Sequence, residues 1–314
     1  MATLNDQAWQ LCDAMAADAE RLGVAVSVLP CGTRLIDCGV EVSGSIEAGR
    51  RLAEVCLAGL GTVYVKPADG PTAHQVHVTT NAPVAACMAS QYAGWEIKAE
   101  KFFAMGSGPM RAAAGREELF DTIGHCEQAD RCVGILETAK LPPESVCLDI
   151  AEKCRIAPDR LTLLLARTAS AAGTVQIVAR SVETALHKLH ALGFRLGCVT
   201  AGIGVAPLPP VARDDLTAIG WTNDAILYGA HVTLLVSADE SALEAIGPRV
   251  PSSSSADYGR PFAEIFARYE RDFYRIDPLL FSPAMVVFVN QGTSKRHEFG
   301  RLAPEVLAES FGAL

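Results

Sequence analysis

The chain has 314 residues, half of them hydrophobic, so it is long enough for one large domain or two closely packed ones. Its mean hydropathy is +0.22, but no apolar run approaches the ~18 residues that a membrane span requires. The net charge is −9, and no Lys/Arg cluster is interleaved with aromatic residues, so nucleic acid is repelled. We expect small-molecule partners or further copies of the chain.

The N-terminal segment predicts a protein that is not exported. "MATLNDQAWQLCDAMAADAERLG" is acidic and amphipathic, typical of a helix, and lacks the basic start and apolar centre of a signal peptide. The ten cysteines contain no C-x-x-C pair, and most lie in apolar segments such as "AEVCLAGL". Because no export signal precedes them, we expect reduced, buried thiols in a soluble, cytoplasmic protein.

The next segments predict strands and helices that mix without strict alternation. "VAVSVLP" and "TRLIDCG" are typical of short strands, and "SIEAGRRLAEVCLAGLG" is typical of a helix with Ser45 as its N-cap. Further strands are predicted at "TVYVKP", "HQVHVTTN", "RCVGILET", "LTLLLAR" and "HVTLLVS", and further helices at "PVAACMASQYAGWEI" and "PPESVCLDIAEKCRI". This order favours an α/β or α+β fold with a mixed sheet.

The glycine-rich turn "MGSGPMRAAAG" is a candidate ligand-binding loop. Gly106 and Gly108 flank Ser107 there, and glycine permits close backbone approach to a ligand. The helix predicted after the turn offers unpaired N–H groups to an anion. A P-loop is excluded because no G-K-[ST] follows, and a tight structural turn is the alternative interpretation.

The segment "VQIVARSVETALHKLH" predicts one amphipathic helix with two faces. Its apolar stripe consists of Val178, Val182, Ala185, Leu186, Leu189 and Leu192. The opposite face carries Arg180, Glu183, His187 and His190, at spacings of three, four and three. An exposed Arg/Glu pair is common and contributes only ~0.2–0.5 kcal/mol. The small, nearly uncharged residues of the preceding "RTASAAGTVQ" instead favour close packing, with the polar face towards a cleft.

Two segments after this helix are read from composition. "CVTAGIGVAPLPPVARDDL" contains too much glycine and proline for a helix or a strand and predicts a loop. "GWTNDAILYG" combines Asn223 and Asp224 with an apolar run that is typical of a strand.

The histidine pairs give a weak indication of a metal site. His74 and His77 point to opposite faces of a predicted strand. His187 and His190 share a helical face, which suits shared metal ligation, but zinc needs a third ligand that no nearby pattern supplies.

Two polar runs near the C-terminus have both a structural and a functional interpretation. The serine run is either a flexible surface loop or a set of hydroxyl donors for a polar ligand, and consists of Ser252, Ser253, Ser254 and Ser255. "DFYRIDP" offers Asp272, Arg275 and Asp277, for which a solvated loop is the default interpretation.

Several long strings of the sequence resemble one known enzyme family. They are "LIDCGVEVSGSIEAGRRLAEVCLAGL", "AMGSGPMRA", "TASAAGTVQIVARSVETALHKL", "GVAPLPPVARDDLTAIGWTNDAILYGA", "PSSSSADYGRPFAEIF" and "DFYRIDP". Together they resemble the methenyltetrahydromethanopterin cyclohydrolases of one-carbon metabolism in methanogens and methylotrophic bacteria, over nearly the whole chain.

The resemblance implies reversible hydrolysis of a methenyl bridge to a formyl group on N5 of the pterin. It implies that Arg180 and Glu183 are the catalytic pair, with Glu183 accepting a proton from the attacking water and Arg180 positioning that water. It also makes three segments candidate pocket walls: Gly106, Ser107 and Gly108; Asn223 and Asp224; and the serine run. No metal or redox cofactor is implied, because the substrate carries its own electrophile.

The resemblance further implies an α/β fold, mixed and non-Rossmann, with two tightly packed domains and the pocket between them. We expect residues 1–85 with about 190–314 in one domain and about 86–189 in the other. A homotrimer is implied as well. The alternative functions are a metal-assisted hydrolase or deaminase that uses His187 and His190, and a non-catalytic pterin-binding protein.

Overall fold

The computed structural model describes residues 2–70 and 72–312. The strands in these residues are β1 (Ala25–Val28), β2 (Arg34–Asp37), β3 (Gly61–Pro67), β4 (His74–Thr80), β5 (Trp95–Ala99), β6 (Phe102–Ser107), β7 (Cys132–Glu137), β8 (Leu161–Ala166), β9 (Val199–Pro207), β10 (His231–Val236), β11 (Met285–Asn290) and β12 (Arg296–Gly300). The helices are α1 (Leu4–Ala17), α2 (Ala19–Leu22), α3 (Ile46–Cys56), α4 (Met110–Ala114), α5 (Leu119–Ile123), α6 (Glu144–Cys154), α7 (Ala171–Val178), α8 (Ser181–Ala191), α9 (Asp215–Leu227), α10 (Glu240–Ile246), α11 (Phe262–Arg268) and α12 (Pro304–Ser310), with a π-helix at Val84–Gln91.

The chain forms two compact units, and their boundaries differ from the expected ones. The first unit is Met1–Thr62 with Ala85–Gln176, and the second is Val63–Val84 with Ile177–Leu314. Residues 1–62 therefore join the middle of the chain rather than its C-terminal part. The 63–84 segment belongs to the second unit because its strand β4 pairs with β9, a long-range pairing that local periodicity does not report.

The first unit is built on a six-stranded mixed sheet in the order β1-β2-β8-β7-β6-β5. The β2/β8 and β8/β7 pairs are parallel, and the remaining pairs are antiparallel. Every residue of β8 is buried. Leu163 and Leu165 lie in one hydrophobic cluster and Leu164 and Ala166 in another, as alternation on a doubly covered strand requires.

The second unit is built on a six-stranded mixed sheet in the order β12-β11-β10-β9-β4-β3. The β10/β11 pair is parallel, whereas β9 is antiparallel to both β10 and β4. Helix α8 packs on β9 and β10, and α9 packs on β9. On β10 the alternate residues Val232, Leu234 and Val236 are fully buried, so that one face of the sheet forms the core.

The glycine-rich segment predicted as a loop is strand β9. Gly202 and Gly204 lie on the face that meets α8: a Cβ added at Gly202 would lie 2.5 Å from the Val182 Cγ1 atom. A Cβ added at Gly204 would overlap Ser181 Oγ. The loop prediction was wrong because these glycines provide close helix-to-sheet approach rather than a turn.

Two further local predictions are corrected. The single helix over 175–190 is two helices, because α7 ends at Val178 and α8 begins at Ser181. The apolar run around Asn223 and Asp224 is not a strand but part of α9. Its apolar residues satisfy both patterns over so short a stretch, and the Asp214 cap, which accepts from Thr217 N–H at 2.9 Å, starts the helix.

The Ser45 cap and the burial of most cysteines are confirmed. Ser45 caps α3 by accepting the Ala48 N–H at 3.0 Å. All ten cysteines are free, eight of them buried, and burial raises the pKa of Cys147 to about 12. Within the described parts of the chain, no helix combines the length and the apolar character needed to cross a membrane.

Candidate active site

Arg180 and Glu183 are both buried where α8 begins. Arg180 is the N-cap residue, with φ −87° and ψ 7°, and is 8% exposed, while Glu183 in the first turn is 7% exposed. An exposed surface pair is therefore excluded: Arg180 and Glu183 are buried, whereas His187 and His190 further along the same face are half-buried. Two ionisable side chains withdrawn from water in one helical turn are costly unless they are matched to partners or to a function.

The position of Glu183 suits a carboxylate. The side chain of the N-cap residue Arg180 does not cap α8, and the positive end of the helix dipole favours negative charge in the first turn. The opposite side of α8 anchors it, because Val182, Ala185, Leu186 and Leu189 are fully buried. Together with the close contact at Gly202 and Gly204, this packing holds Glu183 on a rigid element.

Lys188, which the sequence reasoning did not single out, is a buried cation on the same helix. The side chain is 1% exposed, and its Nζ atom donates to Ser254 Oγ at 3.2 Å and to the Leu279 carbonyl oxygen. Burial lowers the pKa of Lys188 to about 8, against the opposing effect of Asp277. A lysine next to the apolar face of a helix usually keeps its ammonium group in solvent, so the sequence pattern did not predict that Lys188 is buried.

The serine run and "DFYRIDP" are brought together below Lys188. Asp277 accepts from Ser255 Oγ at 2.6 Å and from the Leu279 N–H at 3.0 Å. Burial alone would raise the pKa of Asp277, but these hydrogen bonds and Lys188 hold it below its ordinary value. Asp257 accepts from the Asp277 N–H at 3.1 Å and from Tyr269 Oη at 2.9 Å. Asp277 thus links these segments through hydrogen bonds within the protein and is not part of a solvated loop.

The predicted serines have different environments. Ser252 is fully buried and donates to the Leu227 carbonyl oxygen at 2.5 Å, which joins the run to the end of α9. Ser254 and Ser255 bond to Lys188 and Asp277 as described above. Ser253 is exposed. Residues 252–254 form a short 3₁₀ turn rather than a flexible loop.

The predicted pair on α9 is held by its own structural contacts. Asn223 Nδ2 donates to the Ile219 carbonyl oxygen at 2.8 Å, one turn earlier on the helix. Asp224 is fully buried and accepts from the Phe262 N–H at 2.8 Å and from Ser310 Oγ at 2.5 Å. Burial raises the pKa of Asp224 to about 7, despite these two hydrogen bonds.

The Gly106–Gly108 turn lies in the first unit and is tightly packed. Gly108 has φ +91°, and a Cβ there would lie 2.5 Å from the Ile135 Cδ1 atom. The turn is buried, and Ser107 Oγ lies 3.4 Å from Cys56 Sγ. The following helix, α4, has only five residues, and its Arg111 side chain is fully buried and forms a two-pronged ion pair with Glu117. The geometry favours the structural interpretation of this turn.

The histidine pairs are not part of a three-ligand cluster. Among the described residues, the side chains close enough to share a metal ion are Glu240, Glu244 and His297. This group does not include His187 or His190, which are both half-buried on α8.

A family model described as "Cyclohydrolase (MCH)" matches residues 3–311. The chain therefore belongs to this cyclohydrolase family, as the sequence resemblance implied.

Individual relatives agree over nearly the full length. A methenyltetrahydromethanopterin cyclohydrolase of Methylobacterium sp. (strain 4-46) is 47% identical over 98% of this chain and 97% of its own. The enzyme of the same name from Xanthobacter autotrophicus is 47% identical over 96% of this chain and 90% of its own. That of Methanosarcina mazei is 38% identical over 99% of both chains.

Proposed function

We propose that this protein catalyses the reversible hydrolysis of 5,10-methenyltetrahydromethanopterin to 5-formyltetrahydromethanopterin. Family membership and the names of the full-length relatives support this activity. The observation that carries it in this chain is the burial of Arg180 and Glu183 together at the start of α8. A buried carboxylate base, Glu183, and a buried cation, Arg180, held on a rigid helix, are suited to the activation of one water molecule.

The chemistry needs one base at a defined position. Water attacks the cationic methenyl carbon, the C–O bond forms, and the electrons of the C=N⁺ bond move to nitrogen. Glu183 accepts the proton that the water loses, and its negative charge favours the positive substrate ring. The hydroxyl group left on the carbon then loses its proton as its C=O bond forms and the bond from carbon to N10 breaks. N10 takes up one proton, and the formyl group remains on N5. Because the substrate supplies the electrophile, this route needs no metal or redox cofactor.

Arg180 is proposed to position the water and the Glu183 carboxylate. A guanidinium close to a carboxylate weakens it as a base, which opposes this role. The methenyl carbon is already cationic, however, so that modest basicity is sufficient. The fixed donors of arginine also define a direction for the water that a mobile cation does not.

Pterin binding is proposed to involve the three predicted wall segments. Within the serine run, Ser253 is the member whose side chain is exposed, whereas Ser252, Ser254 and Ser255 already bond to protein groups. The other predicted residues, Gly106, Ser107, Gly108, Asn223 and Asp224, are proposed to contribute to binding through backbone placement, because the side chains of Ser107, Asn223 and Asp224 already contact protein groups. We also propose a homotrimer that acts in the cytoplasm.

The deciding experiment follows the methenyl absorbance after purified protein is added, with and without a chelator. Decay that survives the chelator supports the proposed reaction. Decay abolished by the chelator would instead support a metal-assisted hydrolase, and binding of substrate without turnover would support a non-catalytic pterin-binding protein.

A further inference from the structure

The proposed reaction leaves one proton to be removed from a buried site. The reactants, a methenyl cation and water, carry one positive charge. Of the two hydrogens of water, one is retained on N10 of the neutral formyl product, and the other leaves as a proton. Glu183, which receives it, is only 7% exposed. Each turnover in the hydrolytic direction therefore requires a route from Glu183 to solvent.

The polar face of α8 provides side chains for such a route. His187 follows Glu183 by four residues, and His190 follows His187 by three. Residues at these spacings are neighbours on a helix, with Cβ atoms about 5–6 Å apart, so that one water molecule is enough to connect adjacent side chains. Both histidines are half-buried and are therefore more accessible to solvent than Glu183, which is 7% exposed.

The electrostatics of the helix favour movement of a proton in this direction. Glu183 lies in the first turn of α8 and His190 in the last turn. The helix dipole disfavours positive charge at the N-terminus and favours it at the C-terminus. The positive charge of Arg180 at the N-cap also repels the proton towards the C-terminus of α8.

We propose that His187 and His190 form a proton relay that carries the released proton from Glu183 to solvent. Burial lowers the pKa of His187 below its ordinary value, which favours the neutral imidazole that can accept a proton. His187 accepts the proton from Glu183 on one ring nitrogen and releases the proton of its other ring nitrogen towards His190. No net charge therefore accumulates on His187. In the reverse direction the same relay delivers the proton. This inference rests on the proposed cyclohydrolase activity.

The test measures kcat of His187→Gln in dilute buffer and at increasing imidazole concentration. Glutamine retains hydrogen bonding but does not relay a proton. We expect kcat to fall about tenfold or more in dilute buffer, with KM unchanged, and to recover as imidazole replaces the lost relay. The wild-type enzyme and the His74→Gln control, which changes an exposed histidine on β4, are expected to be insensitive to imidazole.

Several outcomes would overturn the relay. Wild-type kcat in His187→Gln, or a loss that imidazole does not restore, would return His187 to a structural role. If His187→Gln does not fold, His190→Gln is tested in the same way. A kcat of His190→Gln that does not change with imidazole concentration contradicts the relay. Absence of turnover in the wild-type protein itself would contradict the proposed function, which separates the two failures.

Discussion

Gly204 of β9 lies directly against Ser181, the first residue of α8, with no room for a side chain between them. The Val182 Cγ2 and Val78 Cγ1 atoms would each lie 3.1 Å from a Cβ at this position. The start of the helix that carries Glu183 is therefore positioned by a glycine on another element.

Gly204→Ala is expected to displace the start of α8 and to cost about 1–3 kcal/mol in free energy of unfolding, since the added methyl group overpacks the contact. We expect kcat to fall with stability, because Glu183 is two residues from the displaced Ser181. The double variant Ser181→Ala/Gly204→Ala removes the overlapping hydroxyl and should recover part of both quantities, since the contacts with Val182 and Val78 remain tight. Denaturant unfolding and methenyl hydrolysis measure them, and a double variant no better than Gly204→Ala would contradict this account.

Glu183→Gln is expected to lower kcat by about 10²–10⁴, because the amide does not accept the proton of the attacking water. Arg180→Ala is expected to impair turnover more than it impairs folding, because the attacking water is no longer aligned. Absorbance kinetics and thermal unfolding of each variant check both statements. Unchanged turnover in Glu183→Gln would remove this residue from the mechanism, and an Arg180→Ala protein that unfolds would assign Arg180 a structural role.

Lys188 should make stability rise at alkaline pH. Its pKa is about 8 in the folded state against an ordinary value of 10.5, so the unfolded chain binds more protons between these values and the free energy of unfolding increases with pH there. In Lys188→Met this contribution is expected to disappear. Chemical denaturation across this pH range measures the difference. Lys153→Met, at a half-exposed residue, is the control and should keep the wild-type slope.

Asp224 has the opposite effect at acidic pH. Its pKa is raised from 3.8 to about 7, so the folded state binds more protons between these values and stability falls as pH rises through them. Asp224→Asn preserves an acceptor for the Phe262 N–H and should flatten this dependence. Asp214→Asn is the matched control, since asparagine also caps α9. Equal pH slopes in Asp224→Asn and wild type would show that Asp224 does not titrate in this range.

The sequence alone predicted most of the regular elements of the first unit. Patterns such as "LTLLLAR" and the Ser45 cap are local, and local chemistry decides them. The same logic failed at β9, where glycine composition indicated a loop. The glycines are explained only by the helix that packs on them, a contact between residues about twenty positions apart.

The candidate site shows the same division. The sequence by itself determined the family, through long strings that span the chain, and it predicted Arg180 and Glu183 as a catalytic pair. Periodicity did not determine whether these residues are exposed or buried, nor that the helix begins at Ser181. Only the tertiary structure decided their burial, the tie from Lys188 to Ser254 and Leu279, and the structural use of Asp224. Burial and long-range hydrogen bonds depend on which elements meet, and a periodic pattern reports only the face that an element presents.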